Sequence, residues 1–230
     1  EGTARLAASY MTAGFVHGVL NSDNINITAE SFDYGPWRFA PTFDPAFTAA
    51  YFDHAGLYSF GRQAEAIQWD VVQLAGALRT IADVDTMIAE LDRFPALYRE
   101  ALVEYFLWRL GVAARGEEED IGLIQATEQA LIESGAPIDR FFFDWAGGDL
   151  RRSSDAYASE AFAPFRERIA VYAATRSLDH AFWSGEPCSM YIEEVEAIWA
   201  AIAERDDWAP LYAKVAQVRA MGTALNPSSP

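Results

Sequence analysis

The sequence predicts a mainly α-helical fold with one short β-hairpin near its N-terminus. Apolar residues recur at steps of three and four over most of the chain from residue 63 onward. Alternation at the period of a strand is confined to Ile25-Asn26-Ile27-Thr28. The 230 residues are 51% hydrophobic, enough to bury a sizeable core. No internal repeat, low-complexity tract or linker divides them, so residues 1–230 read as one helical domain.

The elements follow in order. Thr3 to Phe15 carries Ala4, Leu6, Ala7, Tyr10 and Met11 and predicts a helix, although no cap precedes it. Residues 17–24 predict a loop, and Ile25–Thr28 a strand that turns at Ala29-Glu30 and pairs with Ser31-Phe32-Asp33. Residues 34–62 predict a long ordered loop, because Trp37, Phe39, Phe43, Phe47, Tyr51, Phe52, Tyr58 and Phe60 call for burial. Ala64, Ile67, Val71, Leu74, Ala75 and Leu78 then share a helix face. Further helices are expected at Asp83–Glu90, at Ala96–Leu110 after an interruption by Pro95, and at Asp120–Glu133. Others are expected around 160–174, at Tyr191–Ala203 with Ile192, Val195, Trp199 and Ile202 on one face, and at Ala209–Met221. Trp145-Ala146-Gly147-Gly148-Asp149 reads as a loop, and so does the end from Leu225 to Pro230.

Composition excludes several functions. With 34 acidic and 17 basic residues the net charge is −17, which disfavours nucleic acid and anionic membranes as partners. Arg151-Arg152 is too small a basic patch to reverse that. The single cysteine, Cys188, rules out a disulfide within the chain and fits a reducing cytoplasm. No apolar run reaches the roughly 20 residues that span a bilayer, and no signal peptide is visible in these residues. Three scattered His and one Cys do not make a zinc site. Asp53-His54 and Asp179-His180 read as structural turns, and Glu117-Glu118-Glu119-Asp120 as a solvated helix start.

The chemistry concentrates in His17-Gly18-Val19-Leu20-Asn21-Ser22-Asp23-Asn24 and Asp33-Tyr34-Gly35-Pro36. Phosphoryl or nucleotidyl transfer from ATP needs a divalent metal with hard oxygen ligands. Asn24 offers an amide oxygen, Asp33 a carboxylate, and Asp23 a carboxylate able to accept a proton from a hydroxyl. His17 is expected to brace the loop, Gly35 to permit a sharp turn after Asp33, and Pro36 to stiffen the exit. The layout resembles the catalytic and magnesium loops of protein kinases, His-Arg-Asp, four residues, Asn, then Asp-Phe-Gly. His17 and Asn24 keep the seven-residue step, but Val19 stands where a kinase has its catalytic Asp, and the acid is at Asp23.

These motifs together resemble the selenoprotein O, or YdiU, family. The likeness continues through Phe43-Asp44-Pro45, Asp53-His54-Ala55-Gly56, Tyr58-Ser59-Phe60, Arg62-Gln63, Trp69 and Leu74-Ala75, with Met221 and Asn226-Pro227 resembling a later motif. The resemblance implies the C-terminal lobe of a protein-kinase-like fold, a pseudokinase with ATP bound in a flipped orientation. It implies transfer of AMP to Ser, Thr or Tyr hydroxyls of proteins, with Asp23 as proton acceptor. Asn24 and Asp33 would be ligands of Mg2+ (Mn2+ as an alternative), Asp33 also lying near the nucleotide phosphates. Ser22 replaces a usual Thr, the Leu-Gly-Leu often found between Asn24 and Asp33 is missing, Leu57 stands for an Arg, and Ala64 and Asp70 for a Pro and an Asn.

The resemblance also implies that the family's nucleotide-cradling loop, its Lys–Glu pair and the whole N-lobe precede Glu1, and that its C-terminal Cys or selenocysteine lies beyond the chain. The expectation is an incomplete catalytic unit, inactive by itself, cytoplasmic in a bacterium or mitochondrial in a eukaryote. Two alternatives stand beside it: a kinase-like phosphotransferase, and a catalytically silent interaction module.

Overall fold

The computed structural model describes residues 1–226 and is mainly helical. By their Cα proximity these residues form two compact units, one of 1–40 and 44–106, the other of 41–43 and 107 onward. In the first, α1 (Gly2–Ala13) ends at Gly14, whose φ of 71° suits a left-handed cap. The chain then forms β1 (Phe15–Val16), antiparallel to β2 (Arg38–Phe39), with Phe15 opposite Phe39. The polar loops lie between these two strands. After them come α2 (Gln63–Leu78), α3 (Val84–Asp92), whose Asp83 cap accepts from the Thr86 N–H at 2.8 Å, and α4 (Phe94–Leu110), whose residues from 107 on belong to the second unit. The core of this unit gathers Ala4, Ala7, Tyr10, Leu20, Ile67 and Phe94. The small residues of α1 let α2 approach closely.

The second unit holds α5 (Glu117–Ser134), α6 (Ile138–Asp144), α7 (Asp155–Ala158), α8 (Ala163–Ile169), α9 (Ile192–Arg205) and α10 (Ala209–Leu225). Its core is aromatic. Phe141, Phe162 and Phe165 are fully buried, and Trp145 meets Phe165 edge-on at 4.9 Å. The buried Tyr157 hydroxyl donates to Asp144 Oδ2 at 3.0 Å, which satisfies the phenol and leaves Asp144 Oδ1 buried without a hydrogen bond. Among the described residues, no helix is long and apolar enough to cross a membrane.

Several expectations change. The hairpin over 25–33 shrinks to one antiparallel bridge between Ile25 and Ser31. Asn26 donates its N–H to Glu30 O at 2.8 Å and Ala29 takes φ 71°, so the chain reverses before a second rung can form. The expected interruption falls at Arg93, between α3 and α4, and Pro95 sits just after it in the first turn of α4, where a missing N–H costs nothing. The helix expected over 160–174 ends at Ile169, because Ala174 bridges to Val112 and the Thr175 N–H donates to Gly111 O. Asp120 is buried rather than solvated, and accepts from the Arg115 N–H and the Tyr172 hydroxyl. Tyr51 and Phe52 are exposed and pack edge-to-face on each other at 5.3 Å, and Trp199 is exposed on α9. The short α6 and α7 have no counterpart in the expected pattern. Pro227 of the later motif falls outside the described residues.

Phe165→Ala is expected to lower stability by about 3–5 kcal/mol, because it empties the centre of the aromatic core. Trp199→Ala should change it by less than about 0.5 kcal/mol. Chemical denaturation followed by circular dichroism checks both.

Candidate functional site

The site is built around the His17 imidazole, which is fully buried. Its Nε2 lies 2.9 Å from Phe32 O, and a carbonyl only accepts, so Nε2 carries the proton. Nδ1 then accepts from the Val19 N–H at 3.4 Å. Both contacts suit the neutral ring. Burial pushes the imidazole pKa down, against the opposing pull of Phe32 O and the Asp33 charge. The His17 backbone N–H donates to Gln63 Oε1 at 3.0 Å, and Gln63 Nε2 donates to Phe15 O at 2.8 Å. One buried amide at the start of α2 thus locks both β1 and the loop that follows. His17 braces, as its place in the sequence predicts.

Gly18 is dictated by space and backbone. Its φ is 89°, and a Cβ there would meet Pro36 Cγ at 2.8 Å. Pro36 thereby lies against the residue after His17 and presses the second loop onto the first.

The three predicted site residues fall as follows. Asn24 is buried; its Nδ2 donates to Val19 O at 2.9 Å, which leaves Oδ1 as the amide atom able to serve as a ligand. The Phe32 N–H donates to Asn24 O at 3.1 Å, so Asp33 is one residue from a direct link to Asn24. Asp33 is exposed and takes φ 60°. The left-handed residue of this turn is therefore Asp33 itself. Gly35 has a φ outside the left-handed region and open space around its Cα, so the turn does not depend on it. Asp tolerates this backbone because its short polar side chain bonds locally. Asp23 is exposed, and its charge acts on Asp70 and Tyr58. The geometry joins Asn24 to the Asp33 loop and directs Asp23 toward α2.

Sequence reasoning missed two features. The first is a chain of hydroxyls: Tyr10 to Ser31, and Ser31 to Tyr34 at 2.9 Å, with the Tyr34 hydroxyl also donating to Ser31 O at 2.7 Å. The Tyr34 ring lies 5.1 Å from the His17 ring. The residue after Asp33 is thus held by α1, and burial of the Tyr10 phenol pushes its pKa up to about 12. The second is Asp70 on α2, only 5% exposed, with neither carboxylate oxygen hydrogen-bonded. Burial first, then the charge of Asp23, push its pKa up to about 7. The replaced Asn noted at this position was the available signal.

Among the described residues no group of three or more His, Cys, Asp or Glu could hold a metal ion. Asn24 and Asp33, one amide and one carboxylate, suit a cation that takes its remaining ligands from phosphate and water. The other polar residues singled out have structural partners. Asp53 accepts from the Leu57 and Tyr58 N–H groups, both at 2.8 Å. His180 Nδ1 accepts from the Phe182 N–H at 3.1 Å, and Arg152 pairs with Glu186 at 2.7 Å. Cys188 is free and buried, and burial pushes its thiol pKa up, away from reactivity.

A family model described as "Protein adenylyltransferase SelO" matches residues 1–219. The chain is 33% identical over 230 residues to the protein nucleotidyltransferase YdiU of Trichodesmium erythraeum (strain IMS101), which covers 94% of this chain and 48% of that protein. It is 37% identical over 233 residues to the YdiU of Gloeobacter violaceus (strain ATCC 29082 / PCC 7421), with 94% and 48% covered. Against the YdiU of Azotobacter vinelandii (strain DJ / ATCC BAA-1303) it is 35% identical over 225 residues, with 92% and 45% covered. The chain spans about half the length of the curated relatives it matches.

Because the Asp70 pKa is raised on folding, the folded state holds a proton that the unfolded chain releases between about pH 4 and 7. Asp70 therefore costs nothing at pH 4 and most above pH 7. Asp70→Asn should leave the melting temperature unchanged near pH 4 and raise it at pH 8, by on the order of 1–3 kcal/mol in stability. Scanning calorimetry at both values checks this.

Proposed function

The chain belongs to the SelO family, and on that premise we propose that the whole protein transfers AMP from ATP to Ser, Thr or Tyr hydroxyls of other proteins. The observation that carries the reading is the joint layout of Asp23, Asn24 and Asp33 around the His17 brace, with Val19 where a phosphotransferase would need its acid. The chain is then one kinase-like helical lobe that brings the base and the metal ligands.

Asn24 Oδ1 and the Asp33 carboxylate would hold Mg2+, or Mn2+ in its place, and the cation would supply neutralisation of charge on the phosphate oxygens. Asp23 orients the acceptor hydroxyl and takes its proton as that oxygen attacks the α-phosphorus and pyrophosphate leaves. His17 stays neutral and keeps Val19 and Phe32 fixed, so Asp23–Asn24 and Asp33 need no reorganisation. Asn24 keeps its nitrogen on Val19 O, which orients its oxygen. An enzyme of this kind needs ATP, a divalent cation and a protein substrate as its partners; neither nucleic acid nor a membrane has a part in it.

The full-length protein, incubated with ATP labelled at the α- or the γ-phosphate, is expected to transfer only the α-label to protein. Asp23→Asn should cut that transfer by about 10²–10⁴-fold, and chelation of divalent metal should abolish it. Transfer of γ-label without α-label would show a phosphotransferase instead. Calorimetric titration of the full-length protein with magnesium–ATP tests the remaining alternative, since a silent interaction module gives no heat of nucleotide binding.

A further inference from the structure

Beside the catalytic loop lies an apolar groove that the chemistry above does not use. It has a volume of about 240 Å³ and is walled by Leu20, Asn21, Leu57, Tyr58, Ala66 and Trp69. Trp69 is 57% exposed and Leu57 47%, so the groove keeps apolar surface open to water. Its shape is set in advance. The Asp53 carboxylate accepts from the Leu57 and Tyr58 N–H groups, both at 2.8 Å, and the Tyr58 hydroxyl donates to Asn21 Oδ1. The last bond ties the groove to the loop that carries Asp23. Asn21 and Asp23 are two residues apart, so their Cα atoms lie within about 7 Å.

Charge decides what the groove can take. Asp23, Asp53 and Asp70 all act on the Tyr58 hydroxyl, whose pKa is raised by burial first and by these three acids next. The cation at the rim, Arg62, is engaged by Glu65 at 3.0 Å. A triphosphate would be repelled here, whereas a segment that pairs an apolar side chain with a basic one would be attracted.

We propose that this groove binds the acceptor protein: an extended segment in which a Leu, Phe or Met side chain fills the space between Leu57 and Trp69, one to three residues from the hydroxyl addressed by Asp23, with a Lys or Arg beside it. The inference rests on the AMP-transfer reading for the hydroxyl but not for the binding. The reach follows from the extended chain, which advances about 3.3–3.6 Å per residue. Leu57 makes this wall of the groove apolar.

The test uses the full-length protein and synthetic peptides with one central Ser, Thr or Tyr. Flanking positions carry either Leu and Arg or Ser and Glu. Binding is followed without ATP by fluorescence anisotropy of labelled peptide, and transfer by incorporation of α-labelled ATP. Leu/Arg peptides should bind at least about tenfold more tightly than Ser/Glu peptides, as expected for burial of one large apolar side chain. Trp69→Ser and Leu57→Ser should each remove most of that preference. They should raise KM for peptide and leave kcat and the KM for ATP unchanged. Both side chains are half-exposed, and an unchanged melting temperature confirms that the variants fold. Equal binding of both peptide sets, or a preference that survives in both variants, overturns the proposal. So does a melting temperature that falls in both variants without any peptide effect, since the groove is then covered by another part of the same protein or by a second copy. Flank-dependent binding without α-label transfer would keep the groove and sink the AMP-transfer reading instead.

Discussion

The two polar loops between β1 and β2 hang on one neutral imidazole. His17 donates to Phe32 O from Nε2 and accepts from the Val19 N–H at Nδ1, and both bonds exist together only while the ring carries a single proton. Its burial enforces that state. Gln63 then fastens the same residue's backbone to α2, and Gly18 lets Pro36 close against it. Each bond is worth only about 1 kcal/mol net, but an orphaned buried partner costs about 1–3 kcal/mol. The two loops are therefore either formed together or not formed.

Around that fixed centre the first unit concentrates acids without matching cations. Asp23, Asp33, Asp53 and Asp70 lie in or beside the same loops, and Asp70 is buried with no partner at all. Such an arrangement is poor for stability and typical of surfaces that wait for positive charge. Away from these loops acids and cations are matched, Arg5 with Glu104 and Arg62 with Glu65 in the same unit, Arg109 with Asp139, Arg152 with Glu186 and Lys214 with Glu194 in the second.

The helical body was legible because long apolar faces leave a strong period, and α2, α4, α5, α9 and α10 all lie where that period falls. What failed was short or non-local. α6 carries Phe141, Phe142 and Phe143 in an unbroken run, which shows no amphipathic period because all three are buried. The hairpin over 25–33 fitted strand alternation, but Ile27 stays in water and only Ile25 reaches the core, so nothing favoured a second rung. The polar layout of the site was readable from residue types and spacing. Its supports were not: the Tyr10–Ser31–Tyr34 chain and the Gln63 clamp join residues far apart in sequence, and no local pattern announces them.

The left-handed backbone at Asp33 limits how this position can drift during evolution. A change to Glu keeps the charge but gives up the conformation, whereas Asn or Gly keeps the conformation but gives up the charge. No single substitution preserves both, so a lineage that needs the carboxylate has no neutral neighbour to explore. One that has lost the need should slide first to Asn or Gly. On the reading that Asp33 holds the cation, the identity of residue 33 marks whether a given member of the lineage still uses its site.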